Sequence, residues 1–197
     1  MKRTILATAL LSGLIAAQAA SAAPVTVVEY YNRTLNTYFI TGRTAEQQML
    51  DQVADFARTG MSFQARSTDD VQPASVGICR FYVSIASPFT NSHFYGRQQV
   101  DCEPMAEAAY AGFSWEGYDF RVPGSEGDGT CPEGATPVYR SFRLGSDGVT
   151  SNHRFTVSTA TYNAAASAGY RGEGQVFCAS GVTDVRRHSL TLGAIRR

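Results

Sequence analysis

The eight residues Phe56-Ala57-Arg58-Thr59-Gly60-Met61-Ser62-Phe63 return as Phe113-Ser114-Trp115-Glu116-Gly117-Tyr118-Asp119-Phe120 and as Tyr170-Arg171-Gly172-Glu173-Gly174-Gln175-Val176-Phe177. Each aromatic–glycine–phenylalanine frame follows the last at a step of 57 residues. A fixed period of this length marks an array of one supersecondary unit, and recurring residues are then framework before they are anything else.

Working outward, each frame closes a unit of four pieces. A first strand is expected at Val27–Tyr31, Ile78–Tyr82 and Val138–Phe142, where aromatic and β-branched residues suit a half-buried pleated surface. A second is expected at Thr37–Thr41, Ser92–Gly96 and Asn152–Thr156. A helix follows. Thr44 with Gln47 reads as a capping box, with Met49, Val53 and Phe56 at core spacing. Pro104 fits only a first turn, and Gly112 and Gly169 suit left-handed helix stops. The strand through Phe63, Phe120 or Phe177 completes the unit.

A unit of this size does not bury its own apolar face, so three are expected to pack around a common axis. The reading is α+β: three ββαβ repeats about a pseudo-threefold axis, compact and propeller-like, with a helix-decorated trefoil-like barrel as the alternative. The expected boundaries are a signal peptide at 1–22, one domain at 23–181 with repeats near 25–66, 77–122 and 131–179, and a basic tail at 182–197.

Lys2 and Arg3, the apolar run Ile5–Ala17 and Ala20-Ser21-Ala22 form a secretory signal with cleavage after Ala22. That run is shorter than the ~20 residues of a membrane span. A secreted or periplasmic protein without stable membrane insertion is therefore expected. The full chain holds 17 bases and 17 acids, so losing Lys2 and Arg3 leaves a net charge of −2 and no lysine, which excludes a nucleic-acid footprint. Arg186, Arg187, Arg196 and Arg197 against Asp184 make the tail +3 and the body −5; the tail reads as a solvated end.

Cys79, Cys102, Cys131 and Cys178 lack zinc-site spacing, and an even count in an exported chain points to disulfides. Cys131 opens unit three and Cys178 ends it, so that pair clasps the unit and leaves Cys79–Cys102 within unit two. No metal or other cofactor is expected. Ser125-Glu126-Gly127-Asp128-Gly129 lacks the alternating acids of a calcium loop and reads as a solvated turn.

In order along the chain, Cys79-Arg80-Phe81-Tyr82, Ser92-His93-Phe94-Tyr95, Trp115-Glu116-Gly117, Cys131-Pro132-Glu133-Gly134, Pro137-Val138-Tyr139-Arg140, Asn152-His153-Arg154-Phe155 and Gly172-Glu173-Gly174 resemble a secreted repeat family of bacteria and fungi, domain of unknown function 5648. The likeness runs from Val27 to Ala179. Unit one departs most: Tyr38 stands for the histidine, Thr59 for the glutamate and Glu29 for the arginine. The resemblance implies no activity.

His93 and His153 could serve as bases with Glu116 or Glu173 as partner. Recurrence with Tyr38 favours a framework role instead, a side chain capping a backbone group at each hairpin. Glu116 and Glu173 pair naturally with Arg80 and Arg140, and unit one loses both partners together, as a structural bridge would. No catalytic residue is assigned. The expected role is an exported, non-catalytic recognition module for extracellular or cell-envelope glycans. A protein-interaction or inhibitor module of a secreted hydrolase is second and a hydrolase third. The hairpin tip Val83–Asn91 supplies the candidate ligand residues Phe89 and Asn91, an apolar plate beside an amide.

Overall fold

A computed structural model describes residues 24–84, 92–145 and 150–181. The signal at 1–22, the ligand candidates Phe89 and Asn91 and the tail 182–197 lie outside the described residues. The elements are β1 (Pro24–Asn32), β2 (Thr37–Thr41), α1 (Thr44–Leu50), β3 (Phe56–Arg66), β4 (Ser75–Val83), β5 (Ser92–Arg97), α2 (Cys102–Ala108), β6 (Phe113–Pro123), β7 (Thr136–Leu144), β8 (Ser151–Thr156), α3 (Thr159–Ala164) with a 3-10 turn at Ala165–Ala168, and β9 (Arg171–Ala179). Strand, strand, helix, strand therefore runs three times. The described protein is mostly β with three short α-helices.

Each triplet of strands is antiparallel, with its first strand in the middle. The sheets order as β2-β1-β3-β6-β4-β5 and β8-β7-β9. The six-stranded sheet is continuous through one residue pair, Arg66 with Arg121, and the three-stranded sheet touches it through a bridge between Gln64 and Ser180. The closing strands β3, β6 and β9 thus meet at their C-terminal ends. There Phe63, Phe120 and Phe177, 8%, 0% and 2% exposed, form a closed triangle. Their ring centroids are 5.8 Å apart for Phe63–Phe120, 6.2 Å for Phe63–Phe177 and 6.1 Å for Phe120–Phe177. Val27, Ile78 and Val138 from the three middle strands are buried with them.

The repeated glycines have a backbone cause. Gly60, Gly117 and Gly174 have φ of 86°, 89° and 83°, a region that L side chains avoid. Opposite each, the register of the middle strand slips: at Val28/Tyr30, at Ile78/Cys79 and Cys79/Phe81, and at Val138/Tyr139 and Arg140/Ser141. Such bulges bend a strand and re-aim its side chains.

The helices depart from the expected detail. Arg43 is the N-cap of α1, so Thr44 is already helical and no capping box forms. Gln47 turns inward and donates to the Thr26 and Thr41 carbonyls at 2.8 and 2.9 Å. The buried face is therefore Gln47 and Leu50, while Met49 and Val53 are 60% and 40% exposed. α2 ends on left-handed Ala109 (φ 46°), three residues before Gly112. The 3-10 turn that continues α3 ends on left-handed Gly169, and at the start of α3 Ser158 Oγ accepts from the Thr161 amide at 3.1 Å.

Both cysteine pairs are bonded, Cys79 to Cys102 beneath α2 and Cys131 to Cys178 across unit three. The 125–129 segment is a turn in which Asp128 accepts from the Thr130 amide and hydroxyl at 2.9 and 2.7 Å. No helix among the described residues is long and apolar enough to cross a membrane.

Two substitutions separate core from backbone. Phe120→Ala should cost about 3–5 kcal/mol by opening the aromatic triangle. At Gly117 an added Cβ meets nothing within 4 Å, so Gly117→Ala should cost only the backbone strain, about 1–3 kcal/mol. Denaturant unfolding measures both; a Gly117→Ala protein as stable as wild type would contradict the bulge geometry.

Candidate functional site

The slips in the middle strands aim Glu29, Arg80 and Arg140 at the second strand of another unit. Each such meeting is termed a seam.

At the seam between units one and two, Arg80 is 3% exposed and its guanidinium lies 5.3 Å over the Phe39 ring. Its Nε donates to Glu116 at 2.7 Å, its Nη1 and Nη2 to Glu46 at 2.7 and 3.2 Å, and its Nη1 lies 3.4 Å from Asp119. Asp119 is also 3.6 Å from Arg43 Nε and accepts from the Gly42 amide at 3.1 Å. His93 packs on Phe39 at 4.5 Å, and its Nε2 is 3.4 Å from Glu116.

The seam between units two and three repeats this with fewer charges. Arg140 lies 5.3 Å over Phe94 and donates from Nε to Glu173 at 2.7 Å. His153 meets Phe94 at 5.5 Å, with Nε2 3.6 Å from Glu173. In both histidines Nε2 therefore faces a carboxylate.

The third seam inverts the chemistry. Glu29, 2% exposed, occupies the arginine position, and Arg154 stands where the other units have Phe39 and Phe94. Arg154 donates to Glu29 from Nε at 2.9 Å and Nη2 at 3.1 Å and lies 3.8 Å over Tyr38, the residue at the histidine position. Thr59 Oγ1, at the glutamate position, donates to Glu29 at 2.7 Å. The paired departures of unit one thus make a bridge of opposite polarity.

Sequence reading located Arg80, Arg140, Glu116, Glu173, Tyr38, His93 and His153 but missed Arg154, Glu46, Asp119 and Arg43. Arg154 had a signal: an arginine in a phenylalanine register in unit three, matched by a glutamate in an arginine register in unit one. Glu46 and Asp119 have no repeat counterpart to mark them.

Burial, with Arg80 and Arg43 nearby, pushes the His93 imidazole down from 6.5 to about 3. Burial and Arg140 do the same to His153, also to about 3. Both rings are neutral at ordinary pH, which suits packing against a ring better than proton transfer near neutrality. Burial raises Asp119 from 3.8 to about 6, against the pull of Arg80 and Arg43. A cleft of about 150 Å³ beside this seam is lined by Tyr38, Phe39, Glu46 and His93 among others. Among the described residues, no group of three or more His, Cys, Asp or Glu could hold a metal ion.

The arrangement is a closed set of ion pairs and cation–ring contacts. Against known families, the model described as Domain of unknown function (DUF5648) matches residues 12–122 and again residues 83–189. The chain belongs to this family, and the two overlapping matches are consistent with a repeated sequence. No curated protein and no solved structure matches the chain.

The charges set a pH dependence with a definite sign. Between pH 4 and 6 the unfolded chain protonates both histidines and the folded one neither, so these groups make stability fall on acidification. Asp119 acts oppositely, because its folded carboxyl takes up a proton that the unfolded one does not. These three groups together give a net loss of about 1.4 kcal/mol per pH unit on acidification, one proton's worth. Asp119→Asn should roughly double that dependence. Denaturant unfolding at pH 4.5, 5.0 and 5.5 for both proteins measures it; equal slopes would contradict a protonated Asp119.

Proposed function

We propose that the chain is an exported, non-catalytic recognition module in which three ββαβ units, near 25–66, 77–122 and 131–179, surround a pseudo-threefold axis and present their loops to an extracellular or cell-envelope glycan. The observation that carries this reading is where the recurring polar side chains go. Arg80, Arg140 and Glu29 each contact the second strand of the preceding unit, in the cyclic order two to one, three to two and one to three. Residues engaged in holding a ring together are framework, so specificity falls to whatever does not recur.

Export is supported by the leader-like segment at 1–22 and by two disulfides, which suit an oxidising compartment. The proposed contact surface includes the β4–β5 hairpin tip with Phe89 and Asn91. A flat apolar ring beside an amide matches a sugar with one apolar face and a hydroxyl rim. Single sites of this kind are weak, and avidity through several units or a fused partner would raise retention.

The test is retention of the purified mature chain on immobilised polysaccharides and cell envelopes, with Phe89→Ala as variant. Retention should fall in Phe89→Ala at unchanged melting temperature. Hydrolysis of an ester, peptide or glycoside by the wild type, abolished in His93→Ala or His153→Ala, would replace this reading with an enzymatic one.

A further inference from the structure

The outer face of unit two carries a row of aromatic rings that the seams do not use. Phe81, 2% exposed, is its centre. Trp115 meets Phe81 at 5.0 Å and Tyr118 at 5.5 Å, with ring planes crossed at 73° and 85°. Phe113 meets Phe81 at 6.4 Å and Tyr110 at 6.3 Å. The row rests on the Cys79–Cys102 disulfide and Met105 of α2. Phe81 is buried and Phe113 and Tyr118 are half-buried, but Trp115 remains 45% exposed and Tyr110 57% exposed.

The fold does not require a ring at position 115. The corresponding residue of unit one is Arg58, which is paired with Asp51 at 2.7 Å. In unit three it is Gly172, where even a Cβ would lie 2.3 Å from the Tyr162 hydroxyl. Leaving a large indole half in water forgoes burial that the packing could otherwise use. Polar groups flank the rings. Tyr118 donates to Glu103 at 2.6 Å, and although burial opposes its charge, this bond and the Gln99 amide hold the Glu103 carboxyl below its ordinary value. Glu107 is exposed on the same helix, and α2 contains no base.

From this we infer that Trp115 and Tyr110 form a saccharide-stacking platform for a chain of uncharged or amino-bearing pyranoses, with Glu103 and Glu107 accepting from hydroxyl or ammonium groups. The inference rests on the recognition reading above and names its site and ligand class. Aromatic faces carry partial negative charge and attract the polarised C–H face of a pyranose. Glu103 at Tyr118, with Glu107 exposed on the same helix, disfavours uronate or sulfate groups by like-charge repulsion.

Trp115 is the only tryptophan of the chain, so its emission reports on this site without a label. The mature protein is titrated with cellohexaose, a chitosan hexamer and polygalacturonate, following fluorescence and, in parallel, calorimetry. A saturable emission change with cellohexaose or the chitosan hexamer and none with polygalacturonate is expected. Tyr110→Ala should weaken binding about tenfold, on the scale of one lost ring contact, at unchanged melting temperature. Trp115→Phe should bind more tightly than Trp115→Ala by calorimetry. Calorimetric binding with static emission, or unaltered affinity in Tyr110→Ala and Trp115→Ala, would remove the platform and leave the recognition reading standing. Preferred binding of polygalacturonate would overturn the ligand class, and no binding of any saccharide would overturn both readings.

Discussion

The structure depends on where a charge at the bulge of each middle strand goes. Opposite a positive-φ glycine, the strand turns one side chain toward the second strand of another unit. In two cases that side chain is an arginine, held by a carboxylate of its own unit and laid over a phenylalanine of another. In the third it is a glutamate gripped by an arginine. A buried charge is stable only when its partner is also in place, so each seam couples the folding of two units.

The seams differ in richness, and the difference has consequences. Arg80 gathers Glu46, Glu116 and Asp119, while Arg43 closes the cluster from the side. Of the three carboxylates Asp119 is the fully buried one, and burial lifts it against the pull of both arginines. The histidines take the opposite course: beside an arginine and against a ring, the imidazole is more stable neutral. The polar residues that would suggest chemistry in a linear sequence are engaged here in ion pairs and ring contacts between units, and the Trp115 face lies outside those contacts.

Much of this is legible in the sequence. The step between Phe56, Phe113 and Tyr170 carried the element order, because the glycine it repeats answers a backbone need that no other residue meets without strain. The Arg80–Glu116 and Arg140–Glu173 pairings followed from their joint loss in unit one. Hidden features were those that break the repeat. Arg154 reads as an ordinary arginine until its phenylalanine register is noticed, and Asp119 sits where the other units have Ser62 and Val176. Helix detail was hidden as well. In α1 the buried face joins Leu50 to Gln47, an amide that satisfies two strand carbonyls, and hydrophobic periodicity assigns no such role to a polar residue.

The most direct measurement exchanges the chemistry of the third seam for that of the other two. Glu29→Arg alone sets two arginines face to face and should lose about 3–5 kcal/mol of unfolding free energy. Adding Thr59→Glu and Arg154→Phe rebuilds the arginine–glutamate pair over a phenylalanine. The triple variant should recover most of the loss, with a non-additive coupling that a mutant cycle reads directly. A triple variant no more stable than Glu29→Arg would contradict the claim that the three seams are one contact written in two polarities.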